Sequence, residues 1–574
     1  MILVIAEKPS VANSIATVIG ATNKNNGYYE GNGYIVSHCV GHLIGLANPD
    51  KYDEKYKKWN LADLPIIPKE YKYEINKATK KQFDILKSLL NNKSVNTVIN
   101  ACDAGREGES IFRLVYGMAG CKKQIKRLWI SSMEDSAIKD GFRNLKDGRE
   151  YENLFKAAEA RAKADWLIGM NISRYYTLKK GKYGESAYSV GRVQTPTLAM
   201  IVYRDNKIVN FQKEKYYKVE IILNSFKMQS DKIDSIEEAN KILDKIGSSI
   251  TIEEIEKKEK LTKPPLPYDL NTLQREANHI YGYSAARTLE LAQSLYEKKM
   301  LTYPRTDSRY LTEDMLVNIV NNIIGKYDFD TKRIGVIFNS KKVTDHHAII
   351  PTISSMYAGK ENLDDDELSI YELCLNKLYA SFSYPLIEEI TKIKATVSDT
   401  VFTAKGKVIK DEGFTKFVIT KRIKDEKEEN AEEQNLPNVK EGDEFSVLEK
   451  SIKEEWTKPP QHFNEDTLLK AMEIAGNDFL QKGIEIERKG IGTPATRAGI
   501  IENLISKDYI RRDKKNLLAT DKGKELIEIV SEEFKSPKTT ADWEMVLNNI
   551  AIGSGNEKVF LSNIEELIKQ EIAK

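Results

Sequence analysis

The first part of the chain has the pattern of buried strands and amphipathic helices. Ile2 to Ala6 is an apolar run without alternation, which is typical of a strand buried on both faces. Pro9 suits the first turn of a helix that continues to about residue 19. A second apolar run at 95–101 leads into an acidic loop, a helical stretch and a third strand at 125–130. This order predicts a mostly parallel sheet in an α/β domain.

The rest of the chain alternates between helical and strand-like regions. Residues 151 to about 212 have helical spacing, whereas polar and apolar side chains alternate as in strands from about 213 to 262. Residues 268–383 are helical again, and strands return at about 386–420. Because the two strand-like regions flank a helical insert, they predict one β domain built from two chain segments.

The region from Trp456 onward predicts a helix, a hairpin and a second helix. The first of these helices begins at Thr493 and ends near Lys507, and the hairpin follows at 509–520. Basic side chains lie along this segment, so the order resembles a DNA-binding winged helix. A packed helical domain with a solvated basic face explains the pattern equally well.

Composition narrows the class of protein. A chain of 574 residues is too long for a single hydrophobic core, so several domains are expected. The formal net charge is only +2, so any basic surface that binds nucleic acid has to be local. The four cysteines are scattered without a C-x-x-C pair, which excludes a zinc ribbon and favours a reducing, cytoplasmic setting. No apolar run approaches the roughly 20 residues of a membrane span, and the N-terminus predicts a strand rather than a signal peptide.

Tyr303 is a candidate nucleophile within the run Leu301 to Tyr310. A tyrosine hydroxyl has a pKa of about 10, so its attack on a phosphodiester needs nearby positive charge. Pro304 favours an extended conformation for Tyr303, and the guanidinium of Arg305 suits a pair of phosphate oxygens. The tripeptide alone is weak evidence, because a tyrosine before proline is more often a buried residue in a turn.

Carboxylates follow two of the predicted strands. Glu7 comes directly after the first strand, and Asp103, Glu107 and Glu109 come after the second. Because sites in parallel sheets lie at the carboxyl ends of strands, these side chains can converge. Carboxylate oxygens suit Mg²⁺, and Lys8 offers a cation for a phosphate. Solvated acids and a surface lysine are the alternative interpretation.

His346 and His347 form a further candidate pair next to Asp345. Paired histidines beside an aspartate can bind a metal or orient a phosphate, although such pairs are more often structural. No G-x-x-x-x-G-K-[ST] motif occurs, so nothing in the sequence supports P-loop nucleotide hydrolysis.

Together these motifs resemble the type IA DNA topoisomerases, and among them the topoisomerase III branch. The resemblance covers nearly the whole chain, and the segments 7–10 and 60–65 favour the III branch over topoisomerase I. It rests on Ala6–Ser10, Val40–Leu43, Trp59–Ile66, the acidic loop 103–109, Ala164–Gly169, Ser189–Pro196, Leu301–Leu311, Asp345–Thr352 and Gly492–Arg497.

The resemblance implies a multidomain, toroidal fold that combines an α/β Toprim domain, two helical, winged-helix-like domains and a β arch. The implied divisions are a Toprim domain at 1–150, a helical DNA-groove domain at 151–212 and 456–574, a β arch domain at 213–264 and 384–455, and a helical domain with the catalytic tyrosine at 265–383.

The resemblance also implies an ATP-independent reaction. Tyr303 attacks a single-stranded DNA phosphodiester and forms a 5′-phosphotyrosine, another strand passes through the break, and the free 3′-hydroxyl reseals it. Such an enzyme relaxes negatively supercoiled DNA and decatenates linked duplexes. The implied setting is a monomer in the bacterial cytoplasm, at the nucleoid and away from membranes, with a RecQ-type helicase or a single-strand binding protein as partner.

Residue roles follow from the same match. Arg305 and Lys8 stabilise the scissile phosphate, and Glu7 exchanges a proton with the 3′-oxygen. His346 matches the family's active-site histidine. Mg²⁺ is expected at Asp103 and Glu107, together with Glu7, and the single-strand groove at Arg161, Asp165, Ser189, Arg192 and Gln194.

Two departures from the family pattern modify these expectations. Many members read Asp-x-Asp-x-Glu in the acidic loop, whereas Gly105 replaces the second aspartate here, so weaker Mg²⁺ binding is expected. The zinc-ribbon or basic tail of many relatives is also lacking, which leaves duplex affinity open.

Other functions fit part of the pattern. A Toprim primase or nuclease would use the acid cluster but would not need Tyr303. A non-catalytic winged-helix protein would bind DNA without a covalent adduct. Within the family, a topoisomerase I-type relaxase is the alternative.

Overall fold

The N-terminal part of the chain forms a seven-stranded sheet. The computed structural model describes residues 1–130, 133–181, 186–343, 346–419, 434, 436–475 and 490–574, so Asp345 of the histidine motif lies outside the described residues. The strand Ile2–Ala6 pairs in parallel with both of its neighbours. Three of the six pairings are parallel and three are antiparallel, so the predicted mostly parallel sheet is present only at its centre, because short strands add to both edges by antiparallel pairing. The strand order across the sheet is Asn23–Asn25, Tyr28–Gly31, Tyr34–His38, Ile2–Ala6, Thr97–Ala101, Gln124–Arg127 and Lys146–Asp147.

Four helices cover this sheet and create two cores. Leu3 and Ile5 of the central strand lie in one core with the second and third helices, whereas Val4 and Ala6 lie in the other core with the first and fourth. Both faces are buried, as the unbroken apolar run predicts. The helices, in chain order, are Pro9–Ile19, Lys80–Leu90, Arg106–Met118 and Asp135–Arg143, and a separate two-stranded antiparallel sheet pairs Ile44–Leu46 with Tyr73–Ile75.

A helical region combines two distant parts of the chain in one core. Helices Glu152–Lys180 and Gln194–Val209 share buried residues with the C-terminal helices. The predicted helix–hairpin–helix order is present, with Pro494–Ser506 before the hairpin and Asp521–Ile529 after it. The other elements are the strands Phe463–Asn464, Ile510–Asp513 and Asn516–Ala519, and the helices Glu465–Ile474, Glu532–Lys535, Pro537–Ala551 and Glu557–Ala573.

A second seven-stranded sheet contains strands from both sides of the helical insert. Its interior packs against the helix Ile236–Lys245. The sequence pattern predicted this combination, although the boundaries of the four-domain division and the toroidal arrangement stay predictions. The strand order is Ser249–Thr251, Glu444–Trp456, Lys215–Leu223, Lys227–Ser230, Thr400–Asp411, Leu386–Val397 and Glu254–Thr262.

The insert between these strands is the helical region that carries Tyr303. Ser284 begins the helix Ala285–Glu297, and its Oγ accepts a hydrogen bond from the backbone N–H of Arg287 at 3.1 Å, as the sequence predicts. Tyr303 follows a few residues after this helix ends. The helices of the insert are Leu270–Tyr281, Ala285–Glu297, Leu316–Asn322, Ile334–Ile337 and Asp365–Phe382.

Within the described part of the chain, no helix combines the length and apolar character needed to cross a membrane.

Candidate active site

The acidic loop lies at the carboxyl edge of the N-terminal sheet. Because Ala6 and Ala101 are partners in parallel strands, Glu7 and Asp103 emerge side by side. The backbone N–H of Asp103 donates a hydrogen bond to Oε2 of Glu7 at 3.2 Å. The convergence expected from the strand order is therefore present.

Two features hold the backbone of this loop. Arg127 is fully buried and donates hydrogen bonds to the carbonyl oxygens of Cys102 and Asp103, both at 2.7 Å. On the other side, Gly108 packs so closely that an added Cβ would lie 2.1 Å from the carbonyl oxygen of Asp103. The loop conformation thus depends on one buried cation and one glycine.

Glu109 does not belong to the acid cluster, which corrects the grouping made from the sequence. It is 1% exposed and points into the domain. Its Oε1 accepts a hydrogen bond from Nε of Arg113 at 2.8 Å, and its Oε2 lies 3.2 Å from Nε of Arg127. Glu109 neutralises the buried arginine that holds the loop, because a buried charge needs a partner.

Tyr303 reaches the acidic loop from the helical insert. Its hydroxyl donates a hydrogen bond to Oδ2 of Asp103 at 2.5 Å, and the residue is 6% exposed. Its ring centroid lies 4.3 Å from that of His346 and 5.3 Å from that of Tyr296. The phenol is therefore fixed between two rings with its oxygen against a carboxylate.

The electrostatics around Tyr303 oppose its ionisation in the closed protein. Burial, followed by the negative charges of Asp103 and Glu7, raises its pKa well above the usual 10, and Arg305 acts in the other direction. Nε of Arg305 has no hydrogen-bond partner among the described residues. A guanidinium with free donors beside a phenol is suited to a phosphate.

His346 is neutral in this setting. Burial, the neighbouring His347 and Arg127 lower its pKa to about 3. Its Nδ1 is buried and has no hydrogen-bond partner within the described residues. His346 therefore supplies ring packing and a polar atom near Tyr303 rather than a positive charge.

A cleft of about 520 Å³ opens next to these groups. Burial, Asp103 and Glu107 raise the pKa of Glu7 to about 8, so its carboxyl group keeps a proton at neutral pH. The cleft is lined by Glu7, Lys8, Pro9, Ser10, Val40, Gly41, His42, Glu107, Glu297 and Arg305.

Two contacts in the cleft were not anticipated from the sequence. Nζ of Lys8 lies 3.9 Å from Oε1 of Glu297, and Nε2 of His42 lies 3.9 Å from Oε1 of Glu107. These long ion-pair distances leave Lys8 and Glu107 available to a bound phosphate or cation.

The chemistry of the donors fits Mg²⁺, although the donors do not form a closed cage. Glu7, Asp103 and Glu107 offer hard carboxylate oxygens at one edge of the sheet. Among the described residues, no three His, Cys, Asp or Glu side chains form a compact group that could hold a metal. Mg²⁺ commonly uses only one or two carboxylates and completes its shell with water and substrate phosphate, so an open set suffices.

Three of the predicted groove residues form an ion-pair cluster. Nε of Arg192 donates to Oδ1 of Asp165 at 2.9 Å, and Nε of Arg161 lies 3.8 Å from the other oxygen. Arg192 is buried, whereas Arg161 and Asp165 are partly exposed. Arg161 is thus the cation of this cluster that a DNA phosphate can reach.

The other two predicted groove residues lie together in a second polar cluster. Nε2 of Gln194 donates to the carbonyl oxygen of Ser189 at 3.1 Å, and Nζ of Lys507 donates to Oγ of Ser189 at 2.6 Å. Gln194 is buried and also accepts from Nδ2 of Asn503 at 3.0 Å. The structure therefore brings the five predicted residues together in two groups.

Comparison with known proteins shows the family of this chain. The sequence model of the DNA topoisomerase family matches residues 149–562, and that of the Toprim domain matches residues 2–133. DNA topoisomerase 3 of Bacillus cereus is 41% identical over 100% of this chain and 81% of its own length, and that of Bacillus subtilis is 39% identical over 99% and 81%. The chain belongs to the type IA DNA topoisomerase family.

The solved structures support the same fold. Full-length topoisomerase I from Thermotoga maritima superposes with a TM-score of 0.76, at 23% sequence identity, over 99% of this chain and 90% of that chain. The protein is thus a DNA topoisomerase, an isomerase, with a Toprim domain and the type IA fold. The sequence prediction of family, fold and enzyme class is confirmed.

Some residues of the site were missed at the sequence level. Asp103 was predicted as a metal ligand only, yet its carboxylate also contacts Tyr303. Arg127 ends an edge-proximal strand, and an isolated arginine at a strand end carries no recognisable pattern. Its neighbour across the sheet, Asn100, donates to Oε2 of Glu109 at 2.8 Å, and a buried asparagine in an apolar strand is the signal that could have revealed this network.

Proposed function

We propose that Tyr303 is the nucleophile of this topoisomerase and that it cleaves one DNA strand through a 5′-phosphotyrosine. The observation that supports this most strongly is the hydroxyl of Tyr303 at 2.5 Å from a carboxylate oxygen of Asp103, beside the cleft of Glu7 and Arg305. The carboxylate of Asp103 is placed to accept the proton of the Tyr303 hydroxyl, and the cation of Arg305 favours the ionised phenol.

Bond breaking and bond making balance in a single displacement. The oxygen of Tyr303 attacks the phosphorus, its proton passes to Asp103, and the bond to the 3′-oxygen breaks. Arg305 and Lys8 stabilise the charge on the phosphate oxygens. Glu7, protonated at neutral pH, donates its proton to the leaving 3′-oxygen and takes it back during resealing.

Asp103 and Glu107 are the residues that would hold Mg²⁺, and Glu7 would join them once its carboxyl group has lost its proton. A bound Mg²⁺ supplies a positive charge that orients the phosphate. Because Gly105 provides no carboxylate, we expect this site to bind Mg²⁺ less tightly than a loop with three acids.

The cycle conserves the energy of the phosphodiester, so no nucleotide is consumed. The absence of a P-loop motif from the sequence agrees with this. We propose that the enzyme acts on single-stranded regions of negatively supercoiled or catenated DNA, as a monomer in the bacterial cytoplasm at the nucleoid. A RecQ-type helicase or a single-strand binding protein would expose its substrate.

Covalent trapping tests the nucleophile. Wild type and Tyr303→Phe are incubated with 3′-labelled or 5′-labelled single-stranded DNA and denatured with SDS. Label on wild-type protein from the 3′-labelled strand alone, with none on Tyr303→Phe, is expected. Equal label on both proteins would assign the nucleophile to another residue, and DNA binding without label on either would indicate a binding protein.

The metal assignment has its own test. Asp103→Ala is expected to raise the Mg²⁺ concentration needed for half-maximal resealing by about tenfold or more, because one of few oxygen ligands is lost. Asp50→Ala, an exposed acid of the same domain paired with Lys51, serves as the control. An unchanged Mg²⁺ dependence in Asp103→Ala would refute the assignment.

A further inference from the structure

Glu544 connects the candidate groove with the acidic loop. It lies on the helix Pro537–Ala551 and is buried. Its Oε1 accepts a hydrogen bond from Nη1 of Arg192 at 2.7 Å, and its Oε2 lies 3.6 Å from Nη2 of Arg106. Arg192 belongs to the groove loop, and Arg106 is the first residue of the helix that follows the acidic loop. One carboxylate therefore contacts both parts of the proposed machinery.

The helix of Glu544 holds Arg192 at two points. Oγ1 of Thr540 donates a hydrogen bond to the carbonyl oxygen of Arg192 at 2.6 Å, while Glu544 binds the guanidinium. Residues four apart lie on the same face of a helix, so both contacts come from a single surface. The backbone and the side chain of Arg192 are thereby fixed relative to this helix.

Glu544 is ionised in spite of its burial. Burial alone would raise its pKa, but the positive charges of Arg192, Arg161 and Arg106 outweigh this and lower it. Asp165 is a second carboxylate beside Arg192 and Arg161.

The acidic loop is anchored at one end by Arg127 and at the other by Arg106. Arg127 holds the carbonyl oxygen of Asp103, whereas Arg106 extends from the first turn that carries Glu107 toward Glu544. The contact of 3.6 Å between Arg106 and Glu544 is an ion pair without a hydrogen bond at Oε2. The first turn that carries Glu107 is therefore linked to the helix of Glu544 by charge.

We propose that Glu544 is a positioning residue for strand cleavage: it binds Arg192 and Arg106 together, so that a single strand in the groove meets an acidic loop already aligned for reaction. The inference rests on the proposed function of Tyr303 and Asp103. Glu544 touches neither the phosphate nor the phenol and acts through Arg106.

The test separates DNA binding from the covalent step. Glu544→Gln preserves the shape and removes the charge. Its affinity for single-stranded DNA is measured by fluorescence anisotropy in EDTA, and its rate of covalent adduct formation is measured in single turnovers at saturating DNA. We expect the rate of adduct formation at saturating DNA to fall about tenfold. Because all of the enzyme then has DNA bound, weaker binding cannot cause this fall, and the measurement reports the covalent step. Glu544→Asp, which keeps the charge, is expected to recover part of the rate.

A double-mutant cycle identifies Arg106 as the residue through which Glu544 acts. In an Arg106→Met background, Glu544→Gln is expected to change the rate by less than about twofold, because the partner is already lost. Asp542→Asn is the matched control, since Asp542 lies on the same helix, is partly exposed and pairs with Lys538 at 3.2 Å. It is expected to leave both readouts unchanged.

The outcomes distinguish this inference from the proposed function. A wild-type rate at saturation in both Glu544 variants would overturn the positioning role, and so would an equal loss with and without Arg106. Failure of the wild-type protein to form any adduct would refute the proposed function instead. Apparent unfolding temperatures of all variants show whether a lower rate of adduct formation comes only from unfolding. If Glu544→Gln is unfolded, the rate of Glu544→Asp at saturating DNA is the measurement that tests the positioning role.

Discussion

At the scale of single residues, the active site consists of groups that shift one another's protonation. Burial, followed by the charge of Asp103, raises the pKa of Tyr303, and burial followed by the same carboxylate raises the pKa of Glu7. One proton is therefore available on Glu7 and another on Tyr303 before the strand enters. A site that needs to donate one proton and accept another benefits from such paired shifts.

The raised pKa of Glu7 predicts a cost in stability. Because the folded protein keeps a proton that the unfolded chain releases near pH 4.5, the free energy of unfolding falls as pH rises from about 5 to about 8. Glu7→Gln removes this loss, which is on the order of 5 kcal/mol for a pKa raised from 4.5 to about 8, at about 1.4 kcal/mol per pKa unit. Thermal unfolding in EDTA is expected to show Glu7→Gln more stable than wild type at pH 8.5 and equal to it near pH 4.5.

The direction of this pH dependence distinguishes burial from ion pairing as its cause. If ion pairing stabilised Glu7 as a carboxylate, the protein would instead lose stability on acidification. A constant difference between Glu7→Gln and wild type over this pH range would contradict the account.

At the scale of elements, the acidic loop depends on how closely the following helix approaches it. Gly108 lies against the backbone of Asp103, whereas nothing lies within 4 Å of the Cβ position of Gly117 near the other end of the helix. A Gly→Ala substitution in this helix therefore meets closely packed backbone at position 108 and open space at position 117.

Gly108→Ala is expected to destabilise the protein by about 1 to 3 kcal/mol and to abolish cleavage, because the added methyl group displaces the loop. Gly117→Ala is expected to keep full activity and to gain up to about 1 kcal/mol from helix propensity. Thermal unfolding and adduct formation check both variants. An active, stable Gly108→Ala would show that the loop does not need this contact.

The elements that sequence alone could predict are those with a strong period or a capping residue. Ile2–Ala6 and the helix that begins at Pro9 match their predicted bounds, and Ser284 caps its helix as expected. The strands Asn23–Asn25 and Tyr28–Gly31 were not predicted, because they are short, polar and dependent on pairing with a neighbour.

The site was predictable only in part for a related reason. Motif order made Tyr303, Glu7 and Asp103 candidates, since these residues lie at strand ends or in a distinctive run, and the structure brings the three together. The contacts of Arg127 and Glu544 join residues distant in the chain, and no local pattern encodes them.

At the scale of the whole molecule, the reaction requires two parts of the protein to separate. Tyr303 is buried against the N-terminal domain, and Nζ of Lys299 lies 3.0 Å from Oδ1 of Asp135 across the same boundary. Passage of a strand through the break has to open these contacts. The exposed ion pair of Lys299 and Asp135 adds little to the cost of opening, whereas the buried rings of Tyr303 and Tyr296 lose their packing against the N-terminal domain.

The net charge of +2 means that DNA affinity arises from local cations. Arg161→Ala is expected to reduce the slope of log affinity against log salt for single-stranded DNA by about 0.7, the value for one phosphate contact. Arg143→Ala, which removes an exposed arginine paired with Asp140, is the control and is expected to leave the slope unchanged. Equal slopes in wild type and Arg161→Ala would exclude Arg161 from the phosphate contacts.

The identity of the nucleophile is the central claim, and mass spectrometry of the trapped adduct tests it most directly. Trypsin releases Tyr303 in the peptide 300–305, which contains no other tyrosine, and releases the neighbouring Tyr296 in the peptide 288–298. After nuclease digestion of the bound DNA, we expect a nucleotide attached through its 5′-phosphate to the peptide 300–305. A nucleotide on the peptide 288–298 or on any other peptide would contradict the account.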